Sequence, residues 1–178
     1  MRIIAGSLGG RVFDSPGTRR THPMSDRVRG ALFNVLGDLE GLTVLDAFAG
    51  SGALGIEAVS RGAHYSMCIE NDRLAQQTIA RNIQSLALKD SVKLIKATAN
   101  AWLSTNQGAK FDIVLCDPPY DNLQPALIIQ LADHAKVSGL VVLSLPPKAT
   151  VTFPPGQFEL LTTKAYGDAQ LVFYRRIR

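Results

Sequence analysis

The chain has 178 residues and a mass of 19.2 kDa, room for one domain and a short appendage but not for a second catalytic module. Apolar residues at 46% and charged residues at 19% supply a core and exclude a disordered chain, and no run approaches the roughly 18 apolar residues of a membrane span. The net charge of +4 and a pI near 9.3 lean toward an acidic partner such as nucleic acid. Met1-Arg2-Ile3 reaches an arginine before any signal region can form, so a cytoplasmic location is expected. Cys68 and Cys116 sit in separate apolar runs without CxxC or His pairing, which excludes a disulfide framework and a cysteine zinc site; no metal is expected.

In chain order, residues 1–13 are basic and glycine-rich and residues 14–23 are turn-rich. Residues 25–39 place Val28, Ala31, Leu32, Val35, Leu36 and Leu39 at helical spacing behind Ser25 or Asp26 as cap. From residue 42, strands are expected over 42–46, 65–70, 92–97, 111–116 and 139–145, with helices over 53–61, 73–86 and 123–136 between them. Strands separated by such helices are βαβ units, hence a parallel sheet covered on both faces. After Pro146-Pro147, residues 158–164 and 170–176 read as a closing hairpin around Tyr166-Gly167-Asp168, which makes one strand antiparallel. The expected fold is α/β, a seven-stranded, mostly parallel sheet with helices on both faces, residues 42–178 forming the domain and 1–41 an N-terminal extension.

Val44-Leu45-Asp46-Ala47-Phe48-Ala49-Gly50-Ser51-Gly52-Ala53-Leu54-Gly55 runs from strand through glycine turn into helix, and Glu70 closes the next strand. Gly50 to Gly55 satisfies GxGxxG, so a nicotinamide oxidoreductase competes. Against it, Asp46 ends the strand and three residues intervene before the first glycine, putting a carboxylate where a pyrophosphate would be repelled. S-adenosylmethionine, cationic and without phosphates, suits that carboxylate, with Glu70 taking its ribose hydroxyls and the backbone of Ala49, Gly50, Ser51 and Gly52 packed against it. An ordinary tight turn with capping acids is the competing reading.

Phe111-Asp112-Ile113-Val114-Leu115-Cys116 is an apolar strand ending in Asp117-Pro118-Pro119-Tyr120. An exocyclic base amine is a poor nucleophile because its lone pair is delocalised. Asp117 and the Pro118 carbonyl can accept its hydrogens, favour pyramidalisation and aim the lone pair at a methyl. The prolines fix φ and lack N–H groups, and Tyr120 offers a ring for the base to stack on. The competing reading is a proline-stiffened connection with Asp117 as a helix cap.

Together these motifs resemble a class I, Rossmann-like methyltransferase acting on an exocyclic base amine. With Met1-Arg2-Ile3-Ile4-Ala5-Gly6, Gly10-Arg11, Ser25-Asp26-Arg27-Val28-Arg29, Ala31-Leu32-Phe33-Asn34 and Tyr166-Gly167-Asp168, nearly the whole chain resembles the small bacterial RsmD family, which methylates a guanine N2 of 16S rRNA, the small-subunit rRNA. The resemblance implies S-adenosylmethionine as cofactor, Asp117, Pro118, Pro119 and Tyr120 as catalytic residues, and Asp46, Ala49 to Gly52, Glu70 and Asn71 at the cofactor. It also implies small-subunit rRNA, free or in an assembling particle, as partner, and a monomer. The family's Arg-Pro-Thr before the first helix is here His22-Pro23-Met24, so Ser25 or a backbone N–H takes the threonine's place, and Gly30 stands where the family usually has Glu. Thr98 or Asn100 replaces the family's adenine-facing Asp.

Residues 1–34 hold six basic and two acidic side chains, and the remaining chain thirteen of each, so the net charge lies at the N-terminus. Arg2, Arg11, Arg27 and Arg29, with Arg19 and Arg20, suit RNA phosphates; Arg27 or Arg29 can instead serve the fold or the cofactor carboxylate. His22, His64 and His134 lack ligand spacing. Ser51 and Ser144 lack a GxSxG elbow, so a hydrolase has no support. The Asp-Pro-Pro-Tyr turn alone also fits DNA adenine and protein glutamine methyltransferases, and an RNA-binding module with an emptied pocket is a further alternative.

Overall fold

Near-continuous burial along the central strands organises a computed structural model of the chain, which describes residues 1–17 and 24–178. The strands are β1 (Thr43–Asp46), β2 (Tyr65–Glu70), β3 (Val92–Lys96), β4 (Phe111–Cys116), β5 (Ala135–Leu145), β6 (Phe158–Tyr166) and β7 (Ala169–Arg176), in the order β3-β2-β1-β4-β5-β7-β6. β1 to β5 pair parallel, and β7 runs antiparallel to both β5 and β6. Val44, Ile113, Leu115 and Val142 face Leu32 and Phe33 of α1 (Asp26–Leu36) and Leu54 and Ala58 of α2 (Ala53–Ser60). Their odd-even neighbours Leu45, Val114 and Val141 face Trp102 of α4 (Ala99–Thr105) and Leu127, Ile128 and Leu131 of α5 (Pro125–Ala132). With α3 (Arg73–Ser85) beside α2, both faces are covered, so the central strands carry near-continuous apolar runs.

Four elements depart from the sequence expectation. The helix expected over 123–136 ends at Ala132, and the chain turns through Asp133 and His134 into β5, which therefore starts at Ala135 rather than Gly139. The cause is tertiary. Phe111 N–H donates to the His134 carbonyl at 2.8 Å, and the His134 ring packs 4.8 Å from Trp102, so sheet pairing captures residues that helical propensity alone would extend. α4 was not expected; it starts at Thr98, whose hydroxyl accepts from Ala101 N–H at 3.1 Å, and is held by the buried Trp102. α1 stops at Leu36 instead of Leu39 because Gly37 adopts φ 78°.

Residues 1–13 form a short hairpin in which Arg2 bridges Val12, while Ile3 and Phe13 are buried against Ile79, Ile83 and Leu86 of the α3 region. Glu57, 1% exposed in the middle of α2, holds this arm: it accepts from Ile4 N–H at 2.8 Å, Ala5 N–H at 3.1 Å and Arg61 Nε at 2.8 Å, and it faces Arg29 Nε at 3.7 Å. Gly6, at φ 86°, lets the arm cross so closely that a Cβ would stand 1.8 Å from the Ser60 carbonyl oxygen. Arg29 is 0% exposed and also donates to the Arg2 carbonyl at 2.6 Å and to Asp26 at 2.9 Å. That burial corrects the expectation of Arg29 as an RNA-binding residue: its guanidinium is consumed by the fold. Arg2, Arg11 and Arg27 are exposed; Arg19 and Arg20, with His22, lie outside the described residues.

Removing Glu57 strands a buried guanidinium. Glu57→Ala is expected to lower the unfolding free energy by about 3 to 5 kcal/mol in urea denaturation, whereas Asp26→Ala, which removes Arg29's solvent-exposed partner, costs less than about 1 kcal/mol. Equal losses would show that Glu57 is not the anchor.

Candidate active site

Register assembles the acids. Asp46 pairs with Cys68 of β2 and lies level with Leu115 of β4, so Glu70 and Asp117 stand two residues further toward the carboxyl edge on the same face, about 6 to 7 Å higher. In β5, Leu143 pairs with Cys116, which brings Ser144 beside Asp117. The edge opens into a cleft of about 1160 Å³ lined by the glycine turn, the end of β2, the start of α4, the Asp-Pro-Pro-Tyr turn and the β6–β7 hairpin tip.

Ala49, Gly50, Ser51, Glu70, Asn71, Thr98, Asn100, Ser25 and Asp117 to Tyr120 all line this cleft. Asp46 and Gly52 do not. Gly52 caps α2 at φ 78°, shaping the turn from behind. Asp46 lies beneath the floor, 0% exposed, with Oδ2 accepting from Gly55 N–H at 3.2 Å and Oδ1 buried without a hydrogen-bond partner among the described residues. The close seating of α2 over β2 depends on Gly55, where a Cβ would meet Cys68 Sγ at 2.4 Å.

Glu70 braces the turn. Oε2 accepts from Gly50 N–H and Oε1 from Asp72 N–H, each at 2.7 Å, and each oxygen keeps a lone pair for a further donor such as a ribose hydroxyl. The Ser25 hydroxyl caps α1 by accepting from Val28 N–H at 3.3 Å, and Thr98 caps α4, so neither hydroxyl oxygen is idle, whereas exposed Asn100 keeps its amide available at the cleft. Pro118 is buried, Tyr120 is 39% exposed, and the Tyr120 hydroxyl is 2.9 Å from Ser144 Oγ. Ser144 and Asp168 were not singled out as site residues from sequence; the available signal was their place at a strand end and a hairpin tip, and it is the folded arrangement that sets them beside the Asp-Pro-Pro-Tyr turn. Among the described residues no cluster of potential metal ligands occurs.

Electrostatics follow from enclosing several carboxylates. Burial, then the charge of Asp117, pushes Asp46 up to about 7, and Glu70 adds to the rise against a hydrogen bond from Gly55. Burial raises Asp117 to about 6, opposed by a hydrogen bond from Ser144. Burial also raises Glu70, opposed by backbone N–H groups. Such a site penalises a phosphate and rewards a cation. The orphaned Asp46 oxygen, the ribose-competent Glu70 and the backbone of the glycine turn therefore fit the ammonium, sulfonium and ribose of S-adenosylmethionine and do not fit a dinucleotide pyrophosphate.

That chemistry on this strand order defines a class I, Rossmann-like methyltransferase that uses S-adenosylmethionine. A family model described as Conserved hypothetical protein 95 matches residues 1–175, and the chain belongs to this family, the RsmD family. The ribosomal RNA small subunit methyltransferase D of Escherichia coli is 34% identical over 183 residues, spanning 99% of this chain and 90% of that protein. The protein of the same name from Haemophilus influenzae is 33% identical over 98% of this chain and 92% of its own length. The solved structure of yhhF from Escherichia coli superposes with a TM-score of 0.86 at 32% identity, covering 99% of this chain and 98% of that one.

A cationic ligand held by Asp46, whose carboxyl is raised to about 7, would bind in competition with a proton: affinity would be low where Asp46 is protonated and rise as pH passes upward through 7. Calorimetric titration with S-adenosylhomocysteine, which keeps the ammonium, is expected to show a dissociation constant that grows toward about tenfold per pH unit below 7. Asp46→Asn removes that portion of the profile. A dissociation constant flat from pH 6 to 8 in the unaltered protein would disprove the coupling.

Proposed function

We propose that the protein transfers one methyl group from S-adenosylmethionine to the exocyclic N2 amine of a guanine in small-subunit rRNA. The observation that carries this reading is the rigid Asp-Pro-Pro-Tyr turn, which sets a carboxylate and an aromatic ring in the same cleft as Glu70 and the glycine turn. The names of the full-length relatives support the rRNA substrate.

S-adenosylmethionine supplies a methyl on a sulfonium, an electrophile already activated for transfer. The protein's part is to align the nucleophile. Asp117 and the Pro118 carbonyl accept the amine hydrogens, which draws the nitrogen lone pair out of conjugation, while the Tyr120 ring holds the base. Bound there, S-adenosylmethionine would supply the methyl and depart as the neutral thioether, and the methylated amine would give up one proton to Asp117 or solvent. Asp117 must be ionised to accept, so its raised pKa puts an acid limb near pH 6 on the transfer step.

Residues 1–41 serve as the RNA-binding extension of the methyltransferase body at 42–178, with Arg2, Arg11 and Arg27 on phosphates. α1, which carries Arg27, begins at the cleft wall. The target guanine is unpaired or splayed, because only then does its amine reach the turn. No helix of the described residues is long and apolar enough to cross a membrane; the reading places the protein in the cytoplasm with the assembling ribosomal particle, as a monomer.

Mass spectrometry of nucleosides from small-subunit rRNA is expected to lose one N2-methylguanosine when the gene is deleted and to regain it on complementation. Unchanged N2-methylguanosine would overturn the proposal, and loss of a methylated adenine or of a methylated protein amide would identify the related chemistries. Asp117→Ala is expected to lower kcat about 10²- to 10⁴-fold, and full modification by that variant would point to a purely RNA-binding role.

Filter-binding titrations test the arm. Replacing Arg2 and Arg11 with alanine is expected to weaken RNA binding and reduce the salt slope by about 0.7 to 0.9 per lost phosphate contact, with S-adenosylhomocysteine affinity retained. Loss of cofactor affinity in that double variant would refute the division of labour.

A further inference from the structure

The β6–β7 hairpin carries into the cleft a carboxylate that the methyl transfer described above does not use. Tyr166 pairs with Ala169, leaving Gly167 and Asp168 as a two-residue loop, and Gly167 takes φ 59°, the glycine-first geometry of a type II′ turn. Register fixes where that tip stands. Cys116 pairs with Leu143 and Ser144 with Leu171, so Asp117, Ser144 and Leu171 share one row across β4, β5 and β7, and Asp168 lies three residues beyond that row toward the carboxyl edge. Two strand spacings set it about 10 Å across the sheet from Asp117. The base of the hairpin is stiff: Leu171 is fully buried, and the Gln170 side-chain amide donates to the Pro146 and Ala149 carbonyls at 3.1 and 2.6 Å. Asp168 itself is exposed and lines the cleft together with Tyr120.

The cleft divides along the sheet. Beyond β1, β2 and β3 stand the glycine turn, Glu70 and Asn100, the side that fits the cofactor; beyond β4, β5 and β7 stand Asp117, Tyr120 and Asp168. A guanine on the second side presents its N2 amine and, next to it on the same edge, the N1–H, whereas adenine carries a lone pair at N1. Asp117 and the Pro118 carbonyl account for the N2 hydrogens. The N1–H, taken out of water by the stack on Tyr120, then needs an acceptor of its own. An ionised carboxylate can only accept.

Resting on the methyl-transfer reading above, we propose that Asp168 is a specificity-determining residue: its carboxylate accepts the N1–H of the target guanine and repels the N1 lone pair of an adenine in the same place. The Asp-Pro-Pro-Tyr turn can hold amines of several kinds and does not choose among them. The choice comes from the hairpin, which is tied to β5 and the connection after it rather than to the turn. Asp121, the other exposed carboxylate of the lining, follows Tyr120 directly in the chain and belongs to no strand, so it serves as the control.

Binding is measured in the full chain with S-adenosylhomocysteine present. Five-nucleotide RNAs of uridine with one central guanine, adenine or 2-aminopurine, which keeps the N2 amine but has a lone pair at N1, are titrated by calorimetry. The phosphates are common to all three strands, so the ratio of dissociation constants reports the base. The unaltered protein is expected to bind the guanine strand about ten- to a hundredfold more tightly than either of the others. Asp168→Asn, whose amide can donate to a lone pair at N1, is expected to erase that preference, and Asp168→Ala to weaken the guanine strand without weakening the other two. Asp121→Asn leaves the ratio in place. These side chains are exposed, and circular dichroism checks that the variants fold. Absence of a guanine preference in the unaltered protein, a preference that Asp168→Asn leaves unchanged, or one that Asp121→Asn removes equally, overturns the inference even where deletion of the gene abolishes one N2-methylguanosine. A guanine preference that depends on Asp168, in a protein whose deletion leaves N2-methylguanosine unchanged, overturns the function proposed above and leaves the base recognition standing.

Discussion

Three carboxylates crowded at one edge of a parallel sheet are the constraint around which the molecule is arranged. Asp46, Glu70 and Asp117 fall on one face because β1, β2 and β4 pair in parallel with even offsets. Burial pushes all three groups up, and at Asp46 the charges of Asp117 and Glu70 add to the rise. The surroundings offset it only in part. Backbone N–H groups of Gly50 and Asp72 serve Glu70, that of Gly55 serves Asp46, and Ser144 serves Asp117. Among the described residues the cleft lining carries no positive charge, so the incompletely balanced acids favour a cationic cofactor.

The eight-residue helix α2 carries both halves of the design. At its start, Gly52 and Gly55 permit the turn and the close seating on β2 that give Asp46 its backbone donor. One turn later Glu57 gathers the N-terminal arm, Arg29 of α1 and Arg61. At its end the Ser60 hydroxyl donates to the Ala5 carbonyl at 2.6 Å and accepts from Leu8 N–H at 3.0 Å. The arm is therefore pinned to the same helix that shapes the cofactor turn, and a basic extension without a large core of its own acquires a fixed position relative to the cleft.

Much of this was legible in the sequence, and the exceptions share a cause. The strand ends at Asp46, Glu70 and Cys116 were marked by local chemistry: apolar runs stopped by an acid, a glycine turn or a proline pair. The path after Ile128 was not, because Leu131, Ala132 and Ala135 satisfy helix and buried strand alike, and the decision rests with Phe111 and Trp102, more than twenty residues away. Arg29 misled for the same reason. In sequence it is one of six arginines near the N-terminus, and only the distant Glu57 and the Arg2 carbonyl distinguish a buried structural cation from a solvated one. Ser144 carried no motif at all; its place beside Asp117 is a matter of β4–β5 register, which the alternation pattern leaves open.

An acid-lined cleft and a polyanionic substrate are at first sight incompatible, and the charge distribution resolves the conflict. Phosphates are repelled where Asp46, Glu70, Asp117 and Asp168 gather, and attracted where the exposed Arg2, Arg11 and Arg27 lie on the N-terminal extension. A nucleic acid bound at the extension can send into the cleft only the part of a nucleotide that carries no charge, its base. The edge of the guanine proposed as substrate, rich in N–H donors, would complement the carboxylates that exclude its own backbone. On the proposed function the repulsion selects for an extruded base, and the acids proposed to hold a cationic methyl donor also keep the strand itself from occupying its place.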